Sequence, residues 1–328
     1  MTLTLLKIDC TIWATDRGEK IMLFTETDRK ENLENLNKPN DIPQKPGSSR
    51  QKKVAVINDL SGFGRCALTV MLPIISKLKV QCCPIPTAIL SNHTAYPEFY
   101  FDDYTERMQE YIDGWKKLDL SFHGIGTGFL GSRIQIEIVS KFIRDFRTED
   151  TIVMVDPIMG DDGKAYATYT DAMCREMKKL VAYADIVTPN VTESCILTDK
   201  PYHKGPWKEE ELLHMARVLT QMGPEKVVIT GIPQESHINN FCYEINRNGS
   251  IREQWILVEG ERVGQTRCGT GDIFSSIILA EAVNGVCLEQ SVKKAADFIK
   301  DCIIESIKME VPLTDGVCFE EILDRLTP

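Results

Sequence analysis

The chain has 328 residues, 43% of them hydrophobic and 26% charged, with a formal net charge of −10. Such a length and composition suit one large α/β domain or two ordinary ones with a well-filled core. The acidic balance argues against nucleic acid or anionic membrane as a partner, so a polyanion would have to be met locally, by a metal ion or backbone amides.

From the amino terminus, Met1 to Phe24 is mildly apolar but broken by Lys7, Asp9, Asp16, Arg17, Glu19 and Lys20. It lacks the basic region and clean apolar stretch of a signal peptide. Nowhere does a run approach the roughly 18 apolar residues of a membrane helix. Thr25 to Lys53 contains no aromatic residue and is dominated by Lys, Glu, Asn, Asp, Pro and Ser. A segment of this kind buries too little apolar surface to offset its ordering entropy. Residues 1–53 therefore read as a disordered N-terminal extension, with a short capping helix around Asp28 to Leu36 as the alternative. The eleven cysteines and five histidines show neither C-x-x-C nor H-x-x-x-H spacing. A structural zinc site and a disulfide framework are both unexpected, and a reducing cytoplasm fits.

From Val54 the texture changes. Short β-branched runs (Val54–Ile57, Gln81–Pro84, Gly124–Thr127, Thr151–Val155, Ile186–Thr188, Val227–Thr230) alternate with apolar residues at helical spacing, such as Ala67, Val70, Ile74 and Leu78. The alternation predicts a mostly parallel sheet covered by helices on both faces. Phe241–Ile245 and Glu253–Leu257 flank the turn residues Asn246 to Ser250 and read as a β-hairpin. Helices follow over Asp272–Asn284 and Leu288–Lys308. No internal repeat or second composition break appears, so residues 54–328 are expected to form one α/β domain. In such a sheet, ligands gather beyond the carboxyl ends of the strands.

Four strand ends carry chemistry. The first runs into Asn58-Asp59 and then Gly62 and Gly64. Two glycines before a helix could cradle a phosphate, but G-x-G-x-x-G is incomplete and no acid ends the second strand, so a dinucleotide site is disfavoured. Asp59 would face the crevice, unless it caps the next helix. At Asp156-Pro157-Ile158-Met159-Gly160-Asp161-Asp162-Gly163, clustered carboxylates suit a hard divalent cation; turn-forming Asp residues satisfied by their own backbone are the competing reading. Gly160 and Gly163 would also let Lys164 to Tyr169 move as a lid. In Thr188-Pro189-Asn190-Val191-Thr192-Glu193, Asn190 and Glu193 are neighbours on a first helical turn, where capping is the ordinary use of such a pair.

The fourth end is Gly269-Thr270-Gly271-Asp272, opening an apolar helix. Glycines allow close approach to a ligand and the first helical N–H groups are unpaired, which makes an anion hole for a transferring phosphoryl group. Asp272 would then accept the proton of an attacking hydroxyl; a glycine turn with Asp as cap is the plain alternative. A carboxylate at a helix N-terminus is expected to be a depressed-pKa, weak base. A loose phosphoryl transition state tolerates one.

Together these motifs identify a resemblance. In order, NDLSGFGRCALT (Asn58–Thr69), LSNHT (Leu90–Thr94), GTGFLGS (Gly126–Ser132), DPIMGDDGK (Asp156–Lys164), TPNVTE (Thr188–Glu193), VVITG (Val227–Gly231) and GTGDIF (Gly269–Phe274) resemble the pyridoxal/pyridoxamine (vitamin B6) kinase family of the ribokinase-like superfamily, over about Val54 to Leu323. The resemblance implies a ribokinase-like α/β fold and ATP-dependent phosphorylation of the 5′-hydroxymethyl group of pyridoxamine, pyridoxal or pyridoxine. It implies Asp272 as base and Gly269, Thr270 and Gly271 as anion hole. It places Asp59 and Thr94 on the pyridine ring, and Asp156, Asn190, Glu193 and Thr230 on the ATP side, with the hairpin to Gly260 bordering the adenine. Mg²⁺ would be organised by Glu193, Asn190 and Asp161, and Asp156 and Thr188 would handle a monovalent cation (K⁺ or Na⁺) and the triphosphate. A cytoplasmic homodimer is the family's habit.

Asp59 departs from the pattern, since many B6 kinases have serine there; an aspartate could pair with a protonated ring nitrogen or the aminomethyl group of pyridoxamine. Hydroxymethylpyrimidine kinases share the fold but carry cysteine where this chain has Asp272 and lack the SNHT run. That activity, alone or as a second one, stays open, as does a non-catalytic protein that binds pyridoxal phosphate. Cys268, before the glycines, reads as packing rather than as a reactive thiol.

Overall fold

The computed structural model of the protein describes residues 50–234, 237–246 and 252–328. The expected extension, with its alternative helix at Asp28 to Leu36, falls outside the described residues except at its end. Most of the turn after Asn246 lies outside them too. In chain order the strands are β1 (Lys53–Ser61), β2 (Gln81–Leu90), β3 (Phe101–Asp103), β4 (Gly124–Thr127), β5 (Ile152–Val155), β6 (Gly160–Asp161), β7 (Lys164–Ala165), β8 (Ile186–Val187), β9 (Lys226–Gln234), β10 (His237–Asn246) and β11 (Arg252–Glu261). The helices are α1 (Leu68–Lys77), α2 (Thr105–Lys117), α3 (Arg133–Phe146), α4 (Asp171–Val181), α5 (Val191–Thr198), α6 (Glu209–Met222), α7 (Thr270–Asn284) and α8 (Leu288–Lys308).

Nine strands make one sheet in the order β11-β10-β9-β8-β5-β4-β1-β2-β3. The six from β9 to β2 are parallel, and antiparallel strands finish both edges. Alternate residues of β1 serve opposite faces, as the two-residue strand period requires. Val54 and Val56 join a core with Leu68, Met71 and Ile74 of α1 and Ile273, Ile277 and Leu279 of α7. Ala55 and Ile57 join the other, with Val139 and Phe142 of α3 and Met215 of α6. Helix α7 is buried around nearly its whole circumference, the pattern of a helix with neighbours on every side.

Two strands differ from expectation. β1 continues past Ile57 to Ser61, with a register irregularity between Asn58 and Leu60. Asn58 and Asp59 thus lie within a kinked strand end, and Asp59 cannot cap α1, which starts at Leu68. β2 does not stop at Pro84 but runs to Leu90. Its outer neighbour β3 pairs only with Ala88 to Leu90, so Pro84 and Pro86 sit where the outer edge is unpaired and a missing N–H is tolerated.

The chain steps outward from β1 to β2, then returns to place β4 on the other side of β1. This reversal opens a crevice at the carboxyl ends of β1 and β4. Asn58, Asp59 and Gly128 stand at its edge.

Candidate active site

Helix α7 begins on Gly269 at φ +88, without a side-chain cap. A Cβ at Gly269 would fall 2.1 Å from the Arg65 carbonyl oxygen, so only glycine fits this turn. The first intrahelical bond runs from Ile273 N–H to the Gly269 carbonyl at 2.9 Å. The N–H groups from Gly269 to Asp272 precede it, and those of Gly269, Thr270 and Gly271 stand where the anion hole is expected. Beside Gly271 there is open space.

Asp272 is half-buried, and its Oδ1 accepts the Asn58 Nδ2 amide at 3.2 Å. The expected depression of its pKa is overturned. Burial pushes it up to about 6, helped by the charge of Asp59, against the Ala67 N–H and the Asn58 amide that hold it down. Desolvation outweighs the helix terminus here because the carboxyl lies under α1 and β1 rather than in water. Ala67 itself has φ +52 and ψ −137, a region costly for a residue with a Cβ, and its strained N–H serves the carboxylate of another helix.

Asp59 is half-buried, and burial raises its pKa against the Ser61 hydroxyl, which it accepts at 2.8 Å. His93 stands within the SNHT run. It is buried, its Nδ1 accepts the Ala95 N–H and its Nε2 lies 2.6 Å from the Thr314 carbonyl, so Nε2 carries the proton. Thr94 is exposed in the following turn and makes no hydrogen bond among the described residues.

Past β5, Asp156 is pushed up to about 8, first by burial and then by the Asp272 charge. The Thr188 hydroxyl lies close enough to hold it down, yet is buried without a full hydrogen bond. Thr127, at the end of neighbouring β4, has a buried hydroxyl in the same condition. Asp161 is exposed and accepts its own neighbour's N–H, Asp162, at 2.9 Å. Asp162 (φ +50) and Gly163 (φ +77) turn the β6–β7 hairpin, the mirror-image turn that favours Asp-Gly. The glycines expected to free a lid are thus spent on a tight hairpin, tied to α5 by Asn190 Nδ2 to the Gly160 carbonyl (2.8 Å) and Gly163 N–H to the Thr192 hydroxyl (2.9 Å).

Asn190 and Glu193 form a complete capping box on α5. Asn190 Oδ1 accepts the Glu193 N–H at 2.9 Å, and Glu193 Oε2 accepts the Asn190 N–H at 2.7 Å. Glu193 Oε1 accepts the Met159 N–H at 3.1 Å. Burial, then Asp156, nevertheless raises its pKa well above the ordinary value. Thr230 pairs its backbone with this junction, bridging to Asn190 and donating to the Pro189 carbonyl at 2.9 Å. Cys268 lies against Cys66, whose thiol lowers the Cys268 pKa, and its carbonyl accepts the Val317 N–H.

Electrostatic neighbours thus link Asp59, Asp272, Asp156, Glu193 and Asp161 into one row of carboxylates. Among the described residues, however, no group of three or more His, Cys, Asp or Glu is disposed to hold a metal by itself.

The sheet order and the helices on both faces are those of the ribokinase-like α/β fold. A profile of the phosphomethylpyrimidine kinase family matches residues 72–314, and the chain belongs to this family. Among solved structures, a Bacteroides thetaiotaomicron protein assigned as a phosphomethylpyrimidine kinase is 40% identical, with 85% of this chain and 94% of that one covered and a TM-score of 0.81. A second crystal form of it, with pyridoxal, is 41% identical over 84% and 96% of the two chains, with a TM-score of 0.78. The pyridoxal kinase of sheep, Ovis aries, is 29% identical over 58% of this chain, and the match spans 64% of the sheep protein's length, under two thirds. The pyridoxal kinase of Leishmania donovani, solved with ADP and pyridoxamine, shares the fold at 22% identity and a TM-score of 0.75, over 84% and 95% of the two chains.

Proposed function

We propose that the protein transfers the γ-phosphoryl group of ATP to the 5′-hydroxymethyl group of a vitamin B6 compound: pyridoxal, pyridoxamine or pyridoxine. One observation carries this reading. Asp272 is an acid on the first turn of an uncapped, glycine-started helix, raised to about 6, where a general base for neutral pH should lie. Asp272 takes the hydroxyl proton as the oxygen attacks. The N–H groups at Gly269, Thr270 and Gly271 receive the charge on the transferring phosphoryl. Asp59 and Thr94 bind the ring, and the pyridoxal present with the Bacteroides relative supports a B6 substrate.

Asp156, Asn190, Glu193 and Thr230 form the ATP side. Mg²⁺ would be organised by Glu193, Asn190 and Asp161, and a monovalent cation and the triphosphate by Asp156 and Thr188, whose unpartnered hydroxyl offers a lone pair. When bound, these ions offset phosphate charge. The row of acids would otherwise repel ATP.

The kinase domain is taken as 54–328 together with Lys53, with the preceding residues as an extension. A homodimer is expected. The described cysteines are all unpaired, which suits a reducing compartment such as the cytoplasm. Among the described residues no helix is long and apolar enough to cross a membrane.

The test is to incubate purified protein with ATP, Mg²⁺ and each vitamer and to measure 5′-phosphate and ADP. Turnover should occur and should fall by about 10²–10⁴-fold in Asp272→Asn. Tight pyridoxal phosphate binding without turnover would make the protein a storage or regulatory homologue. The family's description, phosphomethylpyrimidine kinase, favours one second reading, phosphorylation of hydroxymethylpyrimidine or of its phosphate, and both belong in the same assay.

A further inference from the structure

We propose that Asn58 is the positioning residue of the base: a carboxamide locked by two strands so that its one strong free donor holds Asp272 in the attacking geometry. The inference rests on the reading of Asp272 as base.

Asn58 is 1% exposed, and a buried amide is costly unless its groups are paired. Its Oδ1 accepts two backbone N–H groups, Asp59 at 2.9 Å within β1 and Phe129 at 2.8 Å just past β4. This settles the amide's orientation by chemistry, because a flipped amide would set N–H against N–H twice. Nδ2 must then face the other way. It meets Asp272 Oδ1 at 3.2 Å and the Met71 sulfur at 3.4 Å. Sulfur is a weak acceptor, so the carboxylate is the one strong partner of that donor.

A single side chain therefore joins the two strands that border the crevice to the helix that carries the base. The slot for it exists because residue 128 is glycine. A Cβ there would lie 2.5 Å from both Cγ and Nδ2 of Asn58. A residue needed only to fill this space would be apolar. This one is oriented from behind and presents a hydrogen to the reacting carboxylate.

Three variants of the full chain test it by steady-state kinetics with ATP, Mg²⁺ and pyridoxal. Asn58→Ala removes the donor. Asn58→Asp is isosteric and keeps the acceptor for both N–H groups, but sets a second oxygen against Asp272. Gly128→Ala leaves the amide intact and displaces it. Loss of a hydrogen bond to a charged group, or a misplacement of about 1 Å, predicts kcat lower by about 10- to 100-fold in the alanine variants. Asn58→Asp should lose more, because like charges meet. KM for ATP should stay within about twofold, since nothing on the ATP side is touched. In an Asp272→Asn background the Asn58 variants should lower the residual turnover no further, because residues acting through one another are not additive.

Wild-type kcat in Asn58→Asp and Gly128→Ala, or losses that add to those of Asp272→Asn, would overturn the inference. So would kcat falling only in step with melting temperature and ATP affinity, which is the mark of a merely structural residue. If Asp272→Asn itself keeps full turnover, the base assignment fails, and that result is separate from any outcome at Asn58.

Discussion

Helices α5 and α7 start at the same edge of the sheet, each with an acid three residues past its N-cap. In α5 the acid turns back: Glu193 bonds the backbone of its own cap and of Met159, and Asn190 answers it. In α7 the cap is a glycine with no side chain to offer, and Asp272 is held instead by Asn58 and the Ala67 N–H from other elements. One helix start is closed by its own residues. The other is left open, with its acid braced from outside, so its N–H groups stay free for an anion, while α5 could meet a ligand only through the remaining lone pairs of its side chains.

Exchanging the acids for alanine gives the sharpest test of that contrast. Glu193→Ala should cost about 1–3 kcal/mol of stability, from a lost cap and the amides it leaves unpaired. Asp272→Ala should abolish turnover at a smaller cost in melting temperature, because removing a charge that burial disfavours offsets the Asn58 and Ala67 donors left unpaired. Thermal unfolding beside an activity assay reads both. Equal destabilisation by the two would erase the distinction.

A pH profile comes next. Asp272 must be ionised to act, so kcat/KM should fall about tenfold per unit below pH about 6 and level off above it. Bound polyphosphate adds negative charge, so the corresponding limb of kcat should lie at higher pH. A limb near pH 4 would mean that the helix terminus, not burial, governs the base.

A smaller effect is expected at Asp156. Its folded-state pKa of about 8 exceeds the unfolded value, so the folded protein binds the extra proton and loses stability as pH rises from about 4 through 8. Asp156→Asn should therefore stabilise the ligand-free protein at pH 8, by about 1 kcal/mol or 2–4 °C in Tm, with the gain fading toward pH 4. Activity should drop at the same time, the usual tension between stability and a charged site. A melting point unaltered at both pH values would show that Asp156 is not held against its burial.

Smallest is specificity at Asp59. Asp59→Ser should lower kcat/KM for pyridoxamine relative to pyridoxal by about 10-fold, the order of one charge-assisted hydrogen bond. Identical ratios in the two proteins would dispose of the idea that this acid selects the amine.

Much of this was legible in the chain. The strand cores at Val54, Gly124 and Thr151, the helix over Leu288–Lys308 and the GTGD helix start were all read from local pattern, because β-branched runs, helical spacing and glycine are local devices. So was the capping use of Glu193, since a box needs only residues three apart. The end of β2 is not legible locally, because proline marks a break unless the sheet edge beside it is unpaired. Asn58 passed unnoticed because nothing in its neighbours says that an amide will be gripped by Phe129 and aimed at a carboxylate 214 positions away.

Sequence alone determined the fold class, the order of the motifs and which residue types stand at each strand end, since these follow from short-range periodicity and stereochemistry. Tertiary structure alone decided which acids share a row, that Asp272 is raised rather than depressed, and which side chain braces it. Desolvation and through-space charge depend on what lies overhead and alongside, and that is set when distant segments meet at the crevice between β1 and β4.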